Sequence, residues 1–310
     1  MLKYIIKRIG FALLVIWVVI TLTFIIMHSI PGNPFAKEGR MPESVYLNLQ
    51  RHFNLDKPLT EQYWLYLKSV VKLDLGPSMK SSTMSVNDFI ANGFPISAHL
   101  GLQALLLAIA AGLILGVIAS LKHNKWPDNL SMVLAIVGIS VPSFVMATIL
   151  QNYVAVQWKI LPVATWRSWW HTILPTISLA AMPTAFIARL MRSSMLEVLS
   201  QDYIKTAKAK GLAASAVIIK HAIRNAILPV ITVLGIIMAN LMTGSFIIEK
   251  IFGIPGMGDL FVKSIGNRDY TVILGATIFY STLLTLFTLI IDLAYKLIDP
   301  RIKVTGGSEG

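Results

Sequence analysis

Residues able to do acid–base, metal or phosphate chemistry are present in this sequence, but their spacing assembles no catalytic site. The six histidines, His28, His52, His99, His123, His171 and His221, form no H-E-x-x-H pair and no other close ligand cluster. With no cysteine, disulfides, thiolate nucleophiles and Cys-ligated metal or iron–sulfur centres are excluded together. No G-x-x-x-x-G-K-[ST] phosphate cradle occurs, and the segment from Gly76 to Lys80 lacks its second glycine. Ser140, Ser143, His171 and Asp259 define no nucleophilic triad. The expectation is a chain with no catalytic residue, no metal site and no bound cofactor of its own.

One polar stretch has a pattern that calls for a partner. Gln201–Pro229 reads QDYIKTAKAKGLAASAVIIKHAIRNAILP, too polar for lipid yet rich in Ala207, Ala209, Gly211, Ala213, Ala214 and Ala216. Small side chains let a helix sit close against another surface, so the stretch reads as a docking element. The alternative is an ordinary charged loop. Its pattern predicts two short helices broken near Gly211. Asp202 lies at the positive end of the first and Lys205, Lys208 and Lys210 lie toward its carboxyl end, as the helix dipole favours. Gly211 suits a left-handed or closely packed turn. The second helix starts near Ala213 and carries Val217, Ile218, His221, Ala222 and Asn225 on one broad face.

These residues must be held by elements built for a bilayer. The chain of 310 residues is 55% hydrophobic and 14% charged, with a mean hydropathy of +0.69. That is more apolar than an ordinary soluble domain. Six segments carry the load: Ile9–Met27, Leu100–Leu121, Leu130–Leu150, Ile173–Leu190, Ala226–Ile248 and Thr271–Leu293. Each approaches the ~20 residues that cross a bilayer, and only helices satisfy their backbone there without alternation of a barrel type. The first apolar run is too long for a signal-peptide core and reads as a retained anchor. The fold class is therefore all-α, a polytopic membrane protein with six transmembrane helices. The net charge of +12 is read as headgroup attraction and topology rather than nucleic-acid binding. With the amino end inside, the inner segments hold 15 cations against 6 acids and the outer ones 12 against 9. Both termini are expected on the cytoplasmic side.

Between the first two spans lies a long polar segment, residues 31–97, expected outside with an amphipathic helix around Pro58–Val71. Residues 98–304 are expected to form a five-helix core containing the inner loop at about 191–225, and residues 305–310 a disordered tail. Trp158, Trp166, Trp169 and Trp170 cluster in one outer segment, as an interfacial belt or an aromatic platform. Few ionisable residues sit inside the spans, which argues against a proton-relay carrier. Pro142, Pro175, Pro183 and Pro229, with Gly112, Gly116, Gly138, Gly235 and Gly244, permit bending and close packing. Candidate pathway or gate residues are Pro142, Phe144, Phe252, Pro255, Gly256 and Met257, with plain packing as the competing reading for Phe252 and Met257.

The motifs resemble the permease subunits of bacterial ABC importers, in the oligopeptide, dipeptide and nickel branch. The inner loop resembles that family's EAA loop at Asp202–Leu212, followed by His221–Ala226 and Pro229. The likeness continues through P-G-N-P at Pro31–Pro34, L-D-K-P-L at Leu55–Leu59, D-L-G-P-S at Asp74–Ser78 and V-P-S-F at Val141–Phe144. It extends to I-L-P-V at Ile160–Val163, F-G-I-P-G-M-G-D-L at Phe252–Leu260, N-R-D-Y at Asn267–Tyr270 and D-P-R at Asp299–Arg301. Lys205, Lys208 and Lys210 stand where the family often has Arg, and Asn33 where Asp is common.

The resemblance implies a type I importer permease architecture in the bacterial inner membrane. It implies that Asp202, Tyr203, Lys205, Thr206, Ala207, Lys208, Ala209, Lys210 and Gly211 form a coupling segment, with His221, Arg224 and Asn225 supporting its return to the membrane. The implied partners are a homologous second permease, two cytoplasmic ATPases that use ATP and Mg, an extracytoplasmic binding protein and a peptide substrate. A nickel, glutathione or other small-solute importer is the alternative within the class. An ATPase-independent carrier and a membrane scaffold are the alternatives outside it.

Overall fold

The computed structural model describes residues 2–29, 35, 42–242 and 246–298. The motif Pro31–Pro34, Gly244, Asp299–Arg301 and the expected tail at 305–310 lie outside the described residues. A long apolar helix, α1 (Leu2–Ser29), opens the fold. Two shorter helices follow, α2 (Glu43–His52) and α3 (Leu59–Val71), and Pro58 caps the second of them at its expected position.

The next helix, α4 (Val86–Leu121), has 36 residues and begins well before the apolar run at Leu100. Its early start has a local cause. Ser85 Oγ accepts from the Asp88 backbone N–H at 3.2 Å while the Asp88 carboxylate accepts from the Ser85 N–H at 2.9 Å, a reciprocal capping box.

The third span departs from expectation. In place of one run over Leu130–Leu150 there are two helices, α5 (Trp126–Ser140) and α6 (Ser143–Leu150), the latter continuing as a π-helical segment Gln151–Gln157. The two arms are bent by 103°. Pro142 has no N–H to continue the ladder, and a residue preceding proline is pushed out of the helical region; Val141 accordingly sits at φ −87°, ψ 116°.

α7 (Trp169–Leu199) passes through Pro175 and Pro183 without ending, so the helix extends beyond both ends of the apolar stretch Ile173–Leu190. Then come α8 (Asp202–Ala209), α9 (Ala214–Ala216), a π-helical turn Val217–Ile223 and α10 (Arg224–Ala226). The remaining helices are α11 (Leu228–Met242), α12 (Phe246–Ile251), α13 (Met257–Asn267) and α14 (Tyr270–Ile298). Among the described residues five helices or helix runs are long and apolar enough to cross a membrane, six if the bent pair counts as one span.

The chain forms two compact units, residues 1–97 with 255–285 and residues 98–254 with 286–310. In the first, Phe35, Met79 and Tyr270 are buried together, with Met27, Tyr46, Leu49, Phe53 and Leu55 packed on them. The buried Asp269 carboxylate ties this unit's loop to α14. It accepts from the Ser78 hydroxyl, the Met79 N–H at 3.2 Å and the Val272 N–H at 3.2 Å. In the second unit α7 is the central element. Gly112 and Gly116 of α4 meet Ile187, Ala188 and Met191, and Gly138 of α5 meets Ala181 and Ala185. These are the small-residue contacts by which helices approach where no hydrophobic effect drives them together.

Candidate functional site

The segment expected to couple is a short helix with one inward edge. In α8 the buried side chains are Ile204 and Ala207, three residues apart on one face, and α8 packs against the π-helical turn that contains buried Val217 and Ala222. Asp202, Tyr203, Lys205, Thr206, Lys208, Ala209 and Lys210 are exposed. The Thr206 hydroxyl donates back to the Asp202 carbonyl at 3.0 Å, and Lys205 Nζ lies 2.8 Å from Asp202 Oδ1. That ion pair is so exposed, at 70% and 94%, that it adds little to stability. The face it occupies is accessible.

Gly211 ends the helix at φ +75°, with nothing within 4 Å of where a Cβ would stand, so the left-handed turn rather than crowding selects glycine. Its N–H bonds the Lys208 carbonyl and the Leu212 N–H reaches back to Ala207, closing the helix. Beyond the break, Asn225 Nδ2 donates to the His221 carbonyl at 2.7 Å. Arg224 is exposed and His221 half-buried, within one continuous helical stretch that returns to α11. All twelve expected residues therefore belong to one helix–turn–helix.

The candidate gate residues fall in both units. Pro142 marks the sharp bend, and Phe144 beside it is 43% exposed. Phe252 is buried and its carbonyl accepts the Thr165 N–H at 2.7 Å, while Gln151 Nε2 donates to the carbonyls of Val163 and Ile251 at 2.9 Å. Within the same unit α6 packs on α12. A turn with Gly253 at φ +60° follows Phe252, and α13 begins at Met257. In the other unit, the buried Met257 donates its N–H to Ser97 Oγ at 2.8 Å, and Gly256 and Met257 lie against Gly93. Pro255 is exposed.

Sequence reasoning missed a buried ion pair between α5 and α7. Asp128, counted there only as one acid among the inner charges, is 2% exposed and bonded to Arg192 through both carboxylate oxygens. The available signal was Trp126-Pro127-Asp128, a proline and an acid in a helix's first turn. Nothing in the spacing names Arg192 as the partner.

Long apolar helices, one pair of them sharply bent, with a short polar helix between α7 and α11, are the frame of a polytopic membrane protein. Residues 112–304 match the family described as binding-protein-dependent transport system inner membrane component, and residues 1–100 match its N-terminal companion family. The chain belongs to this family of inner-membrane permeases. It is 53% identical to the dipeptide transport system permease protein DppB of Bacillus subtilis over 98% of this chain and 99% of that one. It is 42% identical to the oligopeptide transport system permease protein OppB of Escherichia coli K12, over 98% and 100% respectively. Among solved structures, the inward-facing MetNI methionine ABC transporter matches with a TM-score of 0.57 at 15% identity, covering 68% of this chain and 96% of that one. That likeness establishes the type I importer permease fold.

Proposed function

We propose that this chain is a permease subunit of an ATP-driven peptide importer. The relatives named dipeptide and oligopeptide permeases, matched along nearly the whole chain, support peptide over nickel or glutathione as the cargo. The observation that carries the mechanism is the exposed polar face of α8, whose buried edge is Ile204 and Ala207.

In this reading both termini are cytoplasmic, and Asp202–Gly211 seats in a groove of a separate ATPase. A loaded binding protein docks outside. ATP and Mg act only in two partner ATPases, whose closure displaces α8 and, through α7, the membrane helices. The pathway lies between this chain and a homologous second permease. A partner shifts the permease between its inward and outward states only by binding them unequally, so α8 must sit differently on the two ATPase states. Of the candidate gate residues, Pro142 and Phe144 supply the bend and an exposed side chain beside it. Phe252, Pro255, Gly256 and Met257 shape the outer segment, the buried Phe252 and Met257 by packing.

The test is peptide uptake into proteoliposomes holding this chain, its partner permease, the ATPases and the binding protein. Gly211→Pro cannot adopt φ +75°, because the proline ring holds φ near about −65°. Uptake is expected to require ATP and to be lost in Gly211→Pro and with inactive ATPases. Undiminished uptake without functional ATPases would overturn the importer reading in favour of an independent carrier.

A further inference from the structure

The Asp128 carboxylate takes both prongs of the Arg192 guanidinium, Nε at 2.6 Å from Oδ1 and Nη2 at 2.8 Å from Oδ2. The Asn124 N–H at 2.9 Å and His123 Nδ1 at 3.1 Å complete the shell of Oδ2. A forked pair of this kind fixes relative orientation as well as distance. Two helices can be held together as well or better by apolar packing, so a buried ion pair is weak grounds for a role in stability alone.

Its position gives the pair a different significance. Asp128 lies in the first turn of α5, and Arg192 lies near the end of α7, which the short turn at Ser200 and Gln201 joins to α8. Farther along, α5 rests on α7 again at Gly138, where a Cβ would stand 2.8 Å from the Ala181 carbonyl oxygen. As α5 runs from 128 to 138, its partners on α7 run back from 192 to 181, so the helices are antiparallel. The two contacts are separated by roughly 15 Å of helix at 1.5 Å per residue. Just past Gly138 the chain reaches Val141 and the 103° bend at Pro142.

We propose that the Asp128–Arg192 pair clamps α5 to α7 so that they move as one lever, carrying a displacement of α8 to the bend at Pro142. Asp128 and Arg192 are positioning residues: they set the angle through which α8 acts. The proposal rests on the reading of α8 as the ATPase-docking helix. Without the fork, α7 can rock about the Gly138 contact and dissipate the displacement before it reaches the break.

The experiment measures peptide imported per ATP hydrolysed, in proteoliposomes of the complete importer. Compared are wild type, Asp128→Asn, Arg192→Lys and the reciprocal double variant Asp128→Arg with Arg192→Asp. Size-exclusion chromatography and thermal denaturation of each complex are read alongside. The single variants are expected to assemble and hydrolyse ATP while peptide moved per ATP falls roughly tenfold, and the reciprocal variant to recover most of it. Arg192→Lys keeps the charge and loses only the fork, so it carries the test if Asp128→Asn fails to assemble. Wild-type yield per ATP in the single variants overturns the clamp. So does a fall in uptake that only tracks loss of assembled complex. A wild-type complex that imports nothing in response to ATP overturns the importer reading first and the clamp with it.

Discussion

At Gly101 two membrane helices come so close that a single added carbon has no place. A Cβ there would collide with the Leu241 carbonyl oxygen and stand 2.7 Å from Met242 Cα, both of them backbone atoms that cannot rotate away. Gly101→Ala must therefore separate α4 from α11, and overpacking of this kind costs about 1–3 kcal/mol. The thermal midpoint of the purified protein is expected to drop. Gly10→Ala is the control: nothing lies within 4 Å of its Cβ position on α1, and alanine is the better helix former, so its midpoint should hold or rise. Equal midpoints for the two variants would refute the close approach. Gly112, Gly116 and Gly138 were legible from the sequence as packing glycines because they punctuate apolar runs, and their α7 neighbours are as close as that reading requires. Gly101 sits at the edge of its run, and no periodicity discloses that a backbone distant in the chain lies against it. The same limit hid Arg192, whose partner Asp128 is set by how α5 and α7 pack and not by any local spacing.

The smallest elements depend most on one side chain. An eight-residue helix such as α8 is too short to hold itself in water, since nucleation is unfavourable below roughly 12–15 residues. Its order is supplied by Ile204, 0% exposed, with Ala207 beside it. Ile204→Ala removes most of that burial, a change that costs about 2–5 kcal/mol in packed interiors. Hydrogen exchange across Asp202–Ala209 is expected to accelerate strongly in Ile204→Ala and to stay unchanged in Lys205→Ala, whose ion pair is exposed. Matching protection in the two variants would remove Ile204 as the anchor. The helix–break–helix of this segment was readable because its start, its glycine and its charges agree with one another. Span limits were less readable: α4 and α7 run past their apolar stretches because polar turns remain helical without contributing hydropathy. The bend at Pro142 was legible as an interruption. Its 103° angle was not, because distant contacts such as Gln151 with the Ile251 carbonyl help to hold α6 where it lies.

For the whole molecule, the distribution of charge and the order of spans make a claim that a labelling experiment can decide. Between α1 and α4 the chain carries α2 and α3, and between α7 and α11 it carries α8 to α10. An odd number of crossings separates these regions only if the bent pair α5 and α6 counts as a full span; α4, the pair and α7 then make three. Were α5 and α6 instead a re-entrant loop returning to its own side, α3 and α8 would face the same compartment. The cation bias, weak on the long loop between α1 and α4, favours opposite sides. Since the native sequence has no cysteine, a single introduced thiol reports without background. Val71 is 83% exposed beyond α1, and Tyr203 is 44% exposed on α8. Val71→Cys is expected to react with a membrane-impermeant maleimide in intact spheroplasts, and Tyr203→Cys only after the membrane is opened. Adding the ATPases to opened membranes should then protect Tyr203→Cys and leave Val71→Cys unaffected. Reaction of both sites from outside would make α5 and α6 a re-entrant loop. Reaction of Tyr203→Cys alone from outside would invert the topology, and either result would take α8 out of reach of a cytoplasmic ATPase.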